Sequence, residues 1–190
     1  MGYDDDIWEA VPHHACEPAA HLVEFVESLP RAEHALDLGC GDGRLAGHIE
    51  TAALTGADTS AVALERAAAR LPGADLVRVE PDAPLPFGDC SFDLVLGVEM
   101  VEHVRDLQLL LSEARRVLRP GGLLALTTPA HGRLTGLRAL VRGFEREFPP
   151  LSPHIRFLTR RSLTGLLDDM GFEVEHLTRR RGTLLLRARR

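Results

Sequence analysis

Short apolar runs alternate with segments of helical periodicity along most of the chain. Seven runs predict strands, at His34–Leu38, Ala52–Asp58, Asp75–Val79, Phe92–Gly97, Leu123–Thr128, Phe172–Leu177 and Thr183–Arg187. The segments between them predict helices at Glu17–Leu29, Arg44–Glu50, Ala61–Arg70, Glu99–Leu118, Leu137–Phe144 and Thr159–Met170. Strands that alternate with helices form βαβ units, so the pattern predicts an α/β fold with a doubly wound, mostly parallel seven-stranded sheet. An antiparallel hairpin is expected at its C-terminal end.

Capping and turn residues support several of these boundaries. Ser60 is a suitable N-cap for the third helix, and Pro72-Gly73 stops it. Gly171 suits the position just after the last helix, and Arg181-Gly182 suits a tight hairpin turn. A chain of 190 residues with one such series of elements is expected to form a single domain over residues 1–190.

Charge is unevenly distributed along the chain. Residues 1–130 hold 22 acidic residues and 9 arginines, whereas residues 131–190 hold 6 acidic residues and 13 arginines. A basic C-terminal part can meet phosphates or an acidic partner, and it can equally be a solvated face. The acidic balance of the whole chain makes RNA the less favoured partner.

Composition also bears on location. No apolar run approaches the roughly 20 residues of a membrane helix, so no membrane partner is expected. Cys16, Cys40 and Cys90 lack metal-binding spacing, and three scattered cysteines suit a reducing cytoplasm. The acidic N-terminus has no signal-peptide pattern, which agrees with a cytoplasmic location. The oligomeric state is left open.

A glycine-rich segment follows the first predicted strand. Asp37-Leu-Gly-Cys-Gly-Asp-Gly43 has the spacing G-x-G-x-G, and not the G-x-G-x-x-G that places a pyrophosphate at a helix end. Glycines allow a tight turn and the close approach of a ligand to the backbone. Asp37 and Asp42 add negative charge that repels a pyrophosphate. The loop therefore favours a cationic ligand with an amino group, such as a sulfonium amino acid.

Two further acidic residues follow the next two strands. Asp58 ends the second strand, where a carboxylate can accept from both hydroxyls of a ribose. Asp82 follows the third strand, within reach of an adenine amino group. Ligands of parallel α/β sheets bind beyond the carboxyl ends of the strands, so these acids and the glycine loop are expected to meet at one site.

These motifs resemble those of class I S-adenosylmethionine-dependent methyltransferases, with a Rossmann-like fold. The matching segments are Ala35–Leu45, Gly56–Ser60, Asp82–Phe87, Ser91–Leu96 and Leu118–Leu124. The resemblance covers nearly the whole chain from about residue 20. It implies that the cofactor S-adenosylmethionine is bound by the residues Asp37, Gly39, Cys40, Gly41, Asp42 and Gly43 (methionyl part), Asp58 and Thr59 (ribose), Asp82 and Ala83 (adenine), and Gly97 and Val98 (sulfonium).

The segment Glu99-Met-Val-Glu102-His103 follows the fourth strand, beside the expected methyl group. On a helix, positions i, i+3 and i+4 share a face, so two carboxylates and an imidazole can hold a divalent cation, Mg²⁺ where oxygen ligands dominate. The triplet resembles that of ubiquinone-biosynthesis O-methyltransferases and of small-RNA 3′-terminal 2′-O-methyltransferases, which implies a metal at Glu99, Glu102 and His103. In those families a further histidine completes the set, and His154 or His131 is the candidate here.

Metal-free alternatives remain open for the same segment. In other relatives the histidine lines the substrate pocket or acts as a base, which makes His103 the candidate catalytic residue. A salt-bridged structural role needs neither a metal nor a substrate.

Two segments outside the predicted core are candidates for covering the site. Residues 1–30 supply an N-terminal helix and lid, with Trp8 and Tyr3 as lid or anchor residues and His13-His14 as an exposed pair or a substrate contact. Residues 129–157 form a long connection, which we expect to be a substrate lid with Phe144, Phe148 and Leu151 on its inner side. Packing of these apolar residues on the sheet is the alternative.

The chain leaves no room for a separate substrate domain, which favours a small-molecule acceptor. The first hypothesis is O-methylation of a hydroxyl in quinone or natural-product biosynthesis. The alternatives are an Mg²⁺-dependent RNA 2′-O-methyltransferase, an N-methyltransferase of a small amine, and a non-catalytic cofactor-binding protein.

Overall fold

The computed structural model describes residues 3–10, 17–149, 152 and 154–190. The strands are β1 Ala32–Leu38, β2 Thr51–Asp58, β3 Asp75–Arg78, β4 Phe92–Val98, β5 Leu118–Pro129, β6 Glu173–Arg180 and β7 Thr183–Arg189. The helices are α1 Tyr3–Ala10, α2 Ala20–Glu27, α3 Ala61–Arg70, α4 Leu107–Val117, α5 Arg133–Arg142, α6 Phe144–Glu147 and α7 Arg160–Asp169, with a short 3-10 helix at Ala46–His48.

The strands form one seven-stranded sheet in the order β3-β2-β1-β4-β5-β7-β6. Strands β1 to β5 are parallel to one another, and β7 is antiparallel to both β5 and β6. The predicted fold class, a mostly parallel α/β sheet with an antiparallel C-terminal hairpin, is confirmed. The strand order turns from one side to the other between β1 and β4, and a crevice is expected at this switch point.

Apolar side chains alternate between the two faces of the sheet. Leu36 and Val95 pack in a cluster with helices α4 and α7, which we call the α4–α7 core. Ala35 and Leu94, their chain neighbours, pack in a second cluster with α2, which we call the α2 core. The period of two along β1 and β4 thus gives each central strand two buried faces, as the continuous apolar runs predict.

Several predicted boundaries are confirmed by their capping contacts. The Ser60 hydroxyl accepts from the backbone N–H of Ala63 at 3.2 Å. Gly171 adopts the left-handed conformation (φ +78°) after α7. Arg181 and Gly182, both with positive φ, form the hairpin turn between β6 and β7.

The helix predicted at Arg44–Glu50 is wrong, since only the 3-10 turn Ala46–His48 forms there. Few residues separate the left-handed Gly43 from the start of β2 at Thr51. A segment this short with Gly47 inside it does not recover the cost of nucleating an α-helix.

The helix predicted at Glu99–Leu118 begins only at Leu107. Glu99 has a positive φ of 49°, which interrupts a right-handed helix. Asp106 supplies the true N-cap, because its carboxylate accepts from the backbone N–H of Leu109 at 2.9 Å. The residues between them form a turn and irregular backbone, so Glu99, Glu102 and His103 do not share a helix face as predicted.

Other elements begin at residues different from those predicted. Strand β5 begins at Leu118, where it pairs with Phe92, five residues before the predicted start. Helix α5 begins at Arg133 rather than at residue 137, and α6 follows it from Phe144. Helix α1 was not predicted as a separate element. Within the ranges that the structure covers, no helix has the length and apolar character needed to cross a membrane.

We expect Leu186→Ala to lower the free energy of unfolding by about 2–5 kcal/mol, because this β7 side chain is fully buried in the α4–α7 core. Denaturant unfolding measures the loss. Leu140→Ala removes the same atoms from a side chain that is 83% exposed, and should change the free energy by less than about 0.5 kcal/mol. Equal losses in the two variants would contradict this assignment of the core.

Candidate active site at the switch point

The glycine loop (residues 39–43) leaves β1 at the switch point between β1 and β4. Gly39, Gly41 and Gly43 all have left-handed backbone conformations, with φ of 68°, 54° and 77°. The backbone N–H groups of Gly39 and Cys40 donate to the carbonyl of Ala57 at 2.8 and 3.1 Å. The loop is thereby tied to the carboxyl end of β2, and the ends of strands β1 and β2 form one surface.

Asp58 holds this surface together. One oxygen of its buried carboxylate accepts from the backbone N–H of Gly41 at 2.8 Å, and the other accepts from the N–H of Ser60 at 2.9 Å. Burial raises the pKa of this carboxyl, and the backbone N–H groups partly oppose the shift. Each carboxylate oxygen has a second lone pair, so the group can still accept from hydroxyls of a ligand.

Asp37 lies buried at the end of β1, close to Asp58. Burial, and then the negative charge of Asp58, raises the pKa of the Asp37 carboxyl to about 8. A cation bound beside these two carboxyls would favour their ionised forms.

Asp42, the other acidic residue of the glycine loop, is already paired with cations in the described structure. Its carboxylate forms ion pairs with Arg44 at 2.7 Å and Arg70 at 3.0 Å. The neighbouring Cys40 is a buried free thiol, and burial with the nearby carboxylates raises its pKa far above the usual range. Cys40 is therefore suited to packing and not to nucleophilic chemistry.

Met100 covers the crevice between β1 and β4. A Cβ atom on Gly39 would lie 2.6 Å from the Met100 Cγ, and one on Gly97 would lie 3.1 Å from the Met100 Cε. A side chain at position 39 would therefore force Met100 to move. Val98, which follows Gly97, is half-buried. Sequence reasoning missed Met100, since an isolated methionine after a strand has no distinctive signal.

Helix α1 packs over the ends of β2 and α3. The Asp5 carboxylate accepts from the Ser60 hydroxyl and the Ala61 backbone N–H, both at 2.9 Å, and Asp4 accepts from the Thr59 hydroxyl at 2.6 Å. Trp8, the only tryptophan of the chain, lies against Gly41, where a Cβ would be 2.7 Å from its ring. These acidic contacts were not predicted. The His13-His14 pair and the side chain of Tyr3 lie outside the described residues.

Asp82 stands at the third strand end in a left-handed turn (φ 53°). Its carboxylate accepts from the backbone N–H of Asp106 at 3.0 Å and pairs with Arg105 at 2.7 Å. Ala83 beside it is half-buried. An adenine amino group would compete with Arg105 for this carboxylate, a partner that sequence reasoning did not identify.

Glu99 begins the turn after β4. Its backbone N–H donates to the Thr127 hydroxyl at 3.0 Å, and this hydroxyl donates to the Glu99 carboxylate at 2.9 Å. Burial, and then the charge of Glu102, raises the pKa of Glu99 to about 7. Glu99 can therefore exchange a proton near neutral pH.

Glu102, His103 and His154 come together despite the missing helix. One potential ligand atom from each of the three lies within 4.8 Å of the others. The segment around His154 is held there because the backbone N–H groups of Ile155 and Arg156 donate to the Glu102 carbonyl at 2.9 and 3.2 Å. Glu99 is not part of this group, since its carboxylate is turned to Thr127.

The electrostatics of this cluster are unusual. Glu102 is only 1% exposed, and neither carboxylate oxygen has a hydrogen-bond partner of normal geometry among the described residues. Burial raises its pKa. Burial, and then the charges of His103 and His131, lowers the pKa of His154, which favours the neutral imidazole. A buried carboxylate beside two imidazoles is a donor set that a cation or a proton must complete.

An aromatic chain extends outward from this cluster. The ring centroids of His131 and Phe157 lie 5.1 Å apart, those of Phe157 and Phe148 4.4 Å, and those of Phe148 and Phe144 5.0 Å. The prediction that Phe144 faces inward is wrong, because its side chain is largely exposed. Gly143, with a φ of 93°, ends α5 just before Phe144. Leu151 lies outside the described residues.

The comparisons with known proteins agree with this architecture. Residues 36–126 match the family model described as "Methyltransferase domain". A Mycolicibacterium smegmatis protein named "Probable S-adenosylmethionine-dependent methyltransferase" is 38% identical over 143 residues, which are 74% of this chain and 52% of that protein. The Amycolatopsis mediterranei 27-O-demethylrifamycin SV methyltransferase is 35% identical, over 66% of this chain and 56% of that protein.

A solved structure has the same fold. The S-adenosylmethionine-dependent methyltransferase of Mesorhizobium loti superposes with a TM-score of 0.69 at 23% identity, over 90% of this chain and 98% of that one. The chain spans about half the length of the curated relatives it matches first. The resemblance of the sequence to class I S-adenosylmethionine-dependent methyltransferases is confirmed by the family model over residues 36–126, by these relatives and by the shared fold.

We expect the raised pKa of Asp37 to make the unliganded protein less stable as pH rises. The folded state keeps a proton up to about pH 8 that the unfolded state loses near pH 4, so stability falls through this window. Asp37→Asn removes the effect. The unfolding free energy of the variant minus that of wild type should rise by on the order of 1–3 kcal/mol between pH 5 and pH 8.

Asp42→Asn is the matched control in these urea titrations. It also neutralises an acid of the glycine loop, but one that is paired with Arg44 and Arg70, and it should not gain stability as pH rises. A pH profile for Asp37→Asn parallel to that of wild type would show that Asp37 ionises normally.

Proposed function

We propose that the protein transfers the methyl group of S-adenosylmethionine to a small-molecule acceptor. The observation that carries the proposal is the pairing of Asp37 and Asp58 around the left-handed glycine loop at the switch point. A buried acidic pair favours a ligand that is both cationic and rich in hydroxyl donors. S-adenosylmethionine has an ammonium group, a sulfonium and a ribose, and it supplies an electrophilic methyl when bound.

Each part of the site has a proposed role toward this cofactor. Asp37 and the glycine loop take the methionyl part, and the open lone pairs of Asp58, with Thr59, take the ribose hydroxyls. Asp82 and Ala83 bind the adenine after Arg105 moves away from the Asp82 carboxylate. Gly97 and Val98 line the sulfonium, and Met100 must shift from the crevice because its side chain now contacts Gly39 and Gly97.

The acceptor is proposed to be a hydroxyl. Its proton must leave as the new bond to carbon forms, and His103 is the proposed base. The side chain of His103 is partly exposed and lies beside Glu102, with its Nε2 atom 3.8 Å from the carboxylate. Glu99, whose pKa is raised to about 7, is proposed to take part in the onward transfer of that proton. The curated relatives that support O-methylation are named 27-O-demethylrifamycin SV methyltransferase and ubiquinone biosynthesis O-methyltransferase.

Two segments are proposed to close the site within a single domain of 190 residues. Helix α1 closes the side of the cofactor, since its Asp4 and Asp5 hold the turn after β2. Residues 129–157 close the side of the acceptor, where the ring centroids of His131 and Phe148 lie 6.2 Å apart. Closure excludes water and positions the acceptor, which are the main contributions a protein makes to such a transfer. We keep the cytoplasm as the proposed location, since Cys40 and Cys90 are free thiols.

Titration with S-adenosylhomocysteine tests the cofactor part of the proposal. We expect the fluorescence of Trp8 to change on binding, because this tryptophan contacts Gly41. Asp58→Ala should weaken binding at least about tenfold through the lost hydroxyl contacts. Asp89→Ala, which removes an exposed aspartate outside the site, should bind as wild type does.

Methyl transfer itself is measured as S-adenosylhomocysteine released with a panel of phenols, sugars and amines. Activity with a hydroxyl acceptor that falls at least about a hundredfold in His103→Ala supports the proposal. Cofactor binding with no turnover on any acceptor would favour a non-catalytic binding protein. Turnover on amines alone would favour an N-methyltransferase.

A metal-assisted form of this function is favoured by the buried Glu102 carboxylate. The residues present fit a cation: Glu102 has no other partner of normal geometry in the described structure, and two imidazoles lie beside it. One oxygen and two nitrogen donors suit Mn²⁺, Fe²⁺ or Zn²⁺ better than Mg²⁺. Such an ion would lower the pKa of an acceptor hydroxyl at this position.

Calorimetric titration with Mn²⁺ tests this form. Glu102→Gln should weaken binding at least about a hundredfold, because it removes the one charged donor of the set. Glu99→Gln is the matched control and should bind as wild type does, since its carboxylate is bonded to Thr127. Equal affinity in all three proteins, with activity unaffected by EDTA, would end the metal hypothesis.

A further inference from the structure

Exposed apolar side chains are concentrated in one part of the described surface. Among the residues whose burial the structure describes, seven large apolar side chains are exposed, and six of them lie between residues 137 and 157. They are Leu137, Leu140, Val141, Phe144, Ile155 and Phe157. A concentration of this kind marks an interaction site more often than chance exposure does.

Four of these residues follow one another along α5 and α6. Leu137, Leu140 and Val141 are spaced at i, i+3 and i+4, which is one face of α5, and Phe144 lies after Gly143 at the start of α6. They run along α5 into the start of α6, and their exposed fractions lie between 55% and 83%. We call them the α5 stripe. A surface helix normally packs its apolar face on the core, whereas α5 presents these apolar side chains to solvent.

Arginines accompany the stripe. Arg133, Arg142 and Arg146 are exposed on α5 and α6. Residues 129–157 contain five arginines and two glutamates, whereas residues 1–130 contain 22 acidic residues and 9 arginines. The apolar stripe therefore lies within a basic part of an otherwise acidic chain.

We propose that the α5 stripe docks on the surface of an anionic phospholipid bilayer. An apolar helix face with arginines is the pattern of helices that lie in the membrane interface. Anionic headgroups complement the arginines, while the acyl boundary accepts the leucines and the phenylalanine. A symmetric second copy fits less well, because it would bring the same basic segments against each other.

The docking face is connected to the candidate active site. From Phe144 in the stripe, the aromatic chain of Phe148, Phe157 and His131 continues inward with centroid distances of 4.4 to 5.1 Å. This series of contacting rings joins the docking face to the proposed acceptor side of the site, an extension that rests on the proposed function. The docking itself does not depend on methyl transfer. The expectation of no membrane partner was based on the lack of a spanning run, which a surface helix does not need.

Vesicle flotation of the full chain tests the proposal. We expect the protein to float with phosphatidylcholine vesicles that contain phosphatidylglycerol, and to bind pure phosphatidylcholine less, with salt weakening the binding. Leu140→Ser/Val141→Ser should reduce the partition coefficient at least about tenfold. Arg142→Gln should reduce it about fivefold, while Arg31→Gln, the same change at the opposite end of the sheet, should leave it unchanged.

The variants are compared with wild type by far-UV circular dichroism and unfolding midpoint, so that loss of folding is recognised. Absence of flotation, or equal flotation of wild type and the stripe double variant, would overturn the proposal. So would a stripe variant that changes only the oligomeric state in size-exclusion chromatography, which would assign the face to a second copy. S-adenosylhomocysteine binding is measured on the same samples, so failure of the proposed function and failure of docking give different results.

Discussion

The site depends on the carboxylate of Asp58, which accepts backbone N–H groups from two different turns. Gly41 belongs to the loop after β1, and Ser60 belongs to the turn after β2. Two neighbouring parallel strands would otherwise end in independent loops. One side chain joins these loops, and the left-handed glycines allow the backbone to approach it closely. The positions of α1, Trp8 and the N-terminus of α3 all follow from this junction, because each contacts one of the joined turns.

The same arrangement carries an electrostatic cost. Asp37 and Asp58 are both buried, and burial, with the charge of Asp58, disfavours the ionisation of Asp37. The neighbouring Asp42 avoids this cost by pairing with Arg44 and Arg70. The protein thus pairs Asp42, which is as buried as Asp58, with arginines, whereas Asp58 accepts backbone N–H groups and Asp37 retains its proton to about pH 8. A cationic ligand would favour the ionised form of Asp37, which links its raised pKa to binding.

The fold was largely predictable from the sequence, because its signals are local. Apolar runs, Ser60, Gly171 and the Arg181-Gly182 turn each define their element from a few neighbouring residues. Predictions failed where a single backbone conformation decided the outcome. Because Glu99 has a positive φ, α4 begins only at Leu107. The identity of the residue does not predict this backbone conformation.

The candidate site was predictable only in part. Residues on the strand ends could be placed together, since parallel strands share one carboxyl edge. Contacts from distant segments could not be predicted: Arg105 on Asp82, Met100 across the crevice, and Asp5 at the start of α3. The cluster of Glu102, His103 and His154 formed for a different reason than expected. It depends on backbone bonds from Ile155 and Arg156 to the Glu102 carbonyl, and not on a helix face.

Strand β7 lies between β5 and β6, and this position governs the order of assembly. Strand β5 ends at Pro129, but its second neighbour begins only at Thr183. Until β7 docks, β5 is an open edge with an unpaired row of backbone groups and apolar side chains on both faces. The hairpin of β6 and β7 is local and can form early, yet its docking closes a long loop that contains α5, α6 and α7. Before its own hairpin docks, the open edge of β5 can pair with the hairpin of another molecule, which is a route to domain swapping.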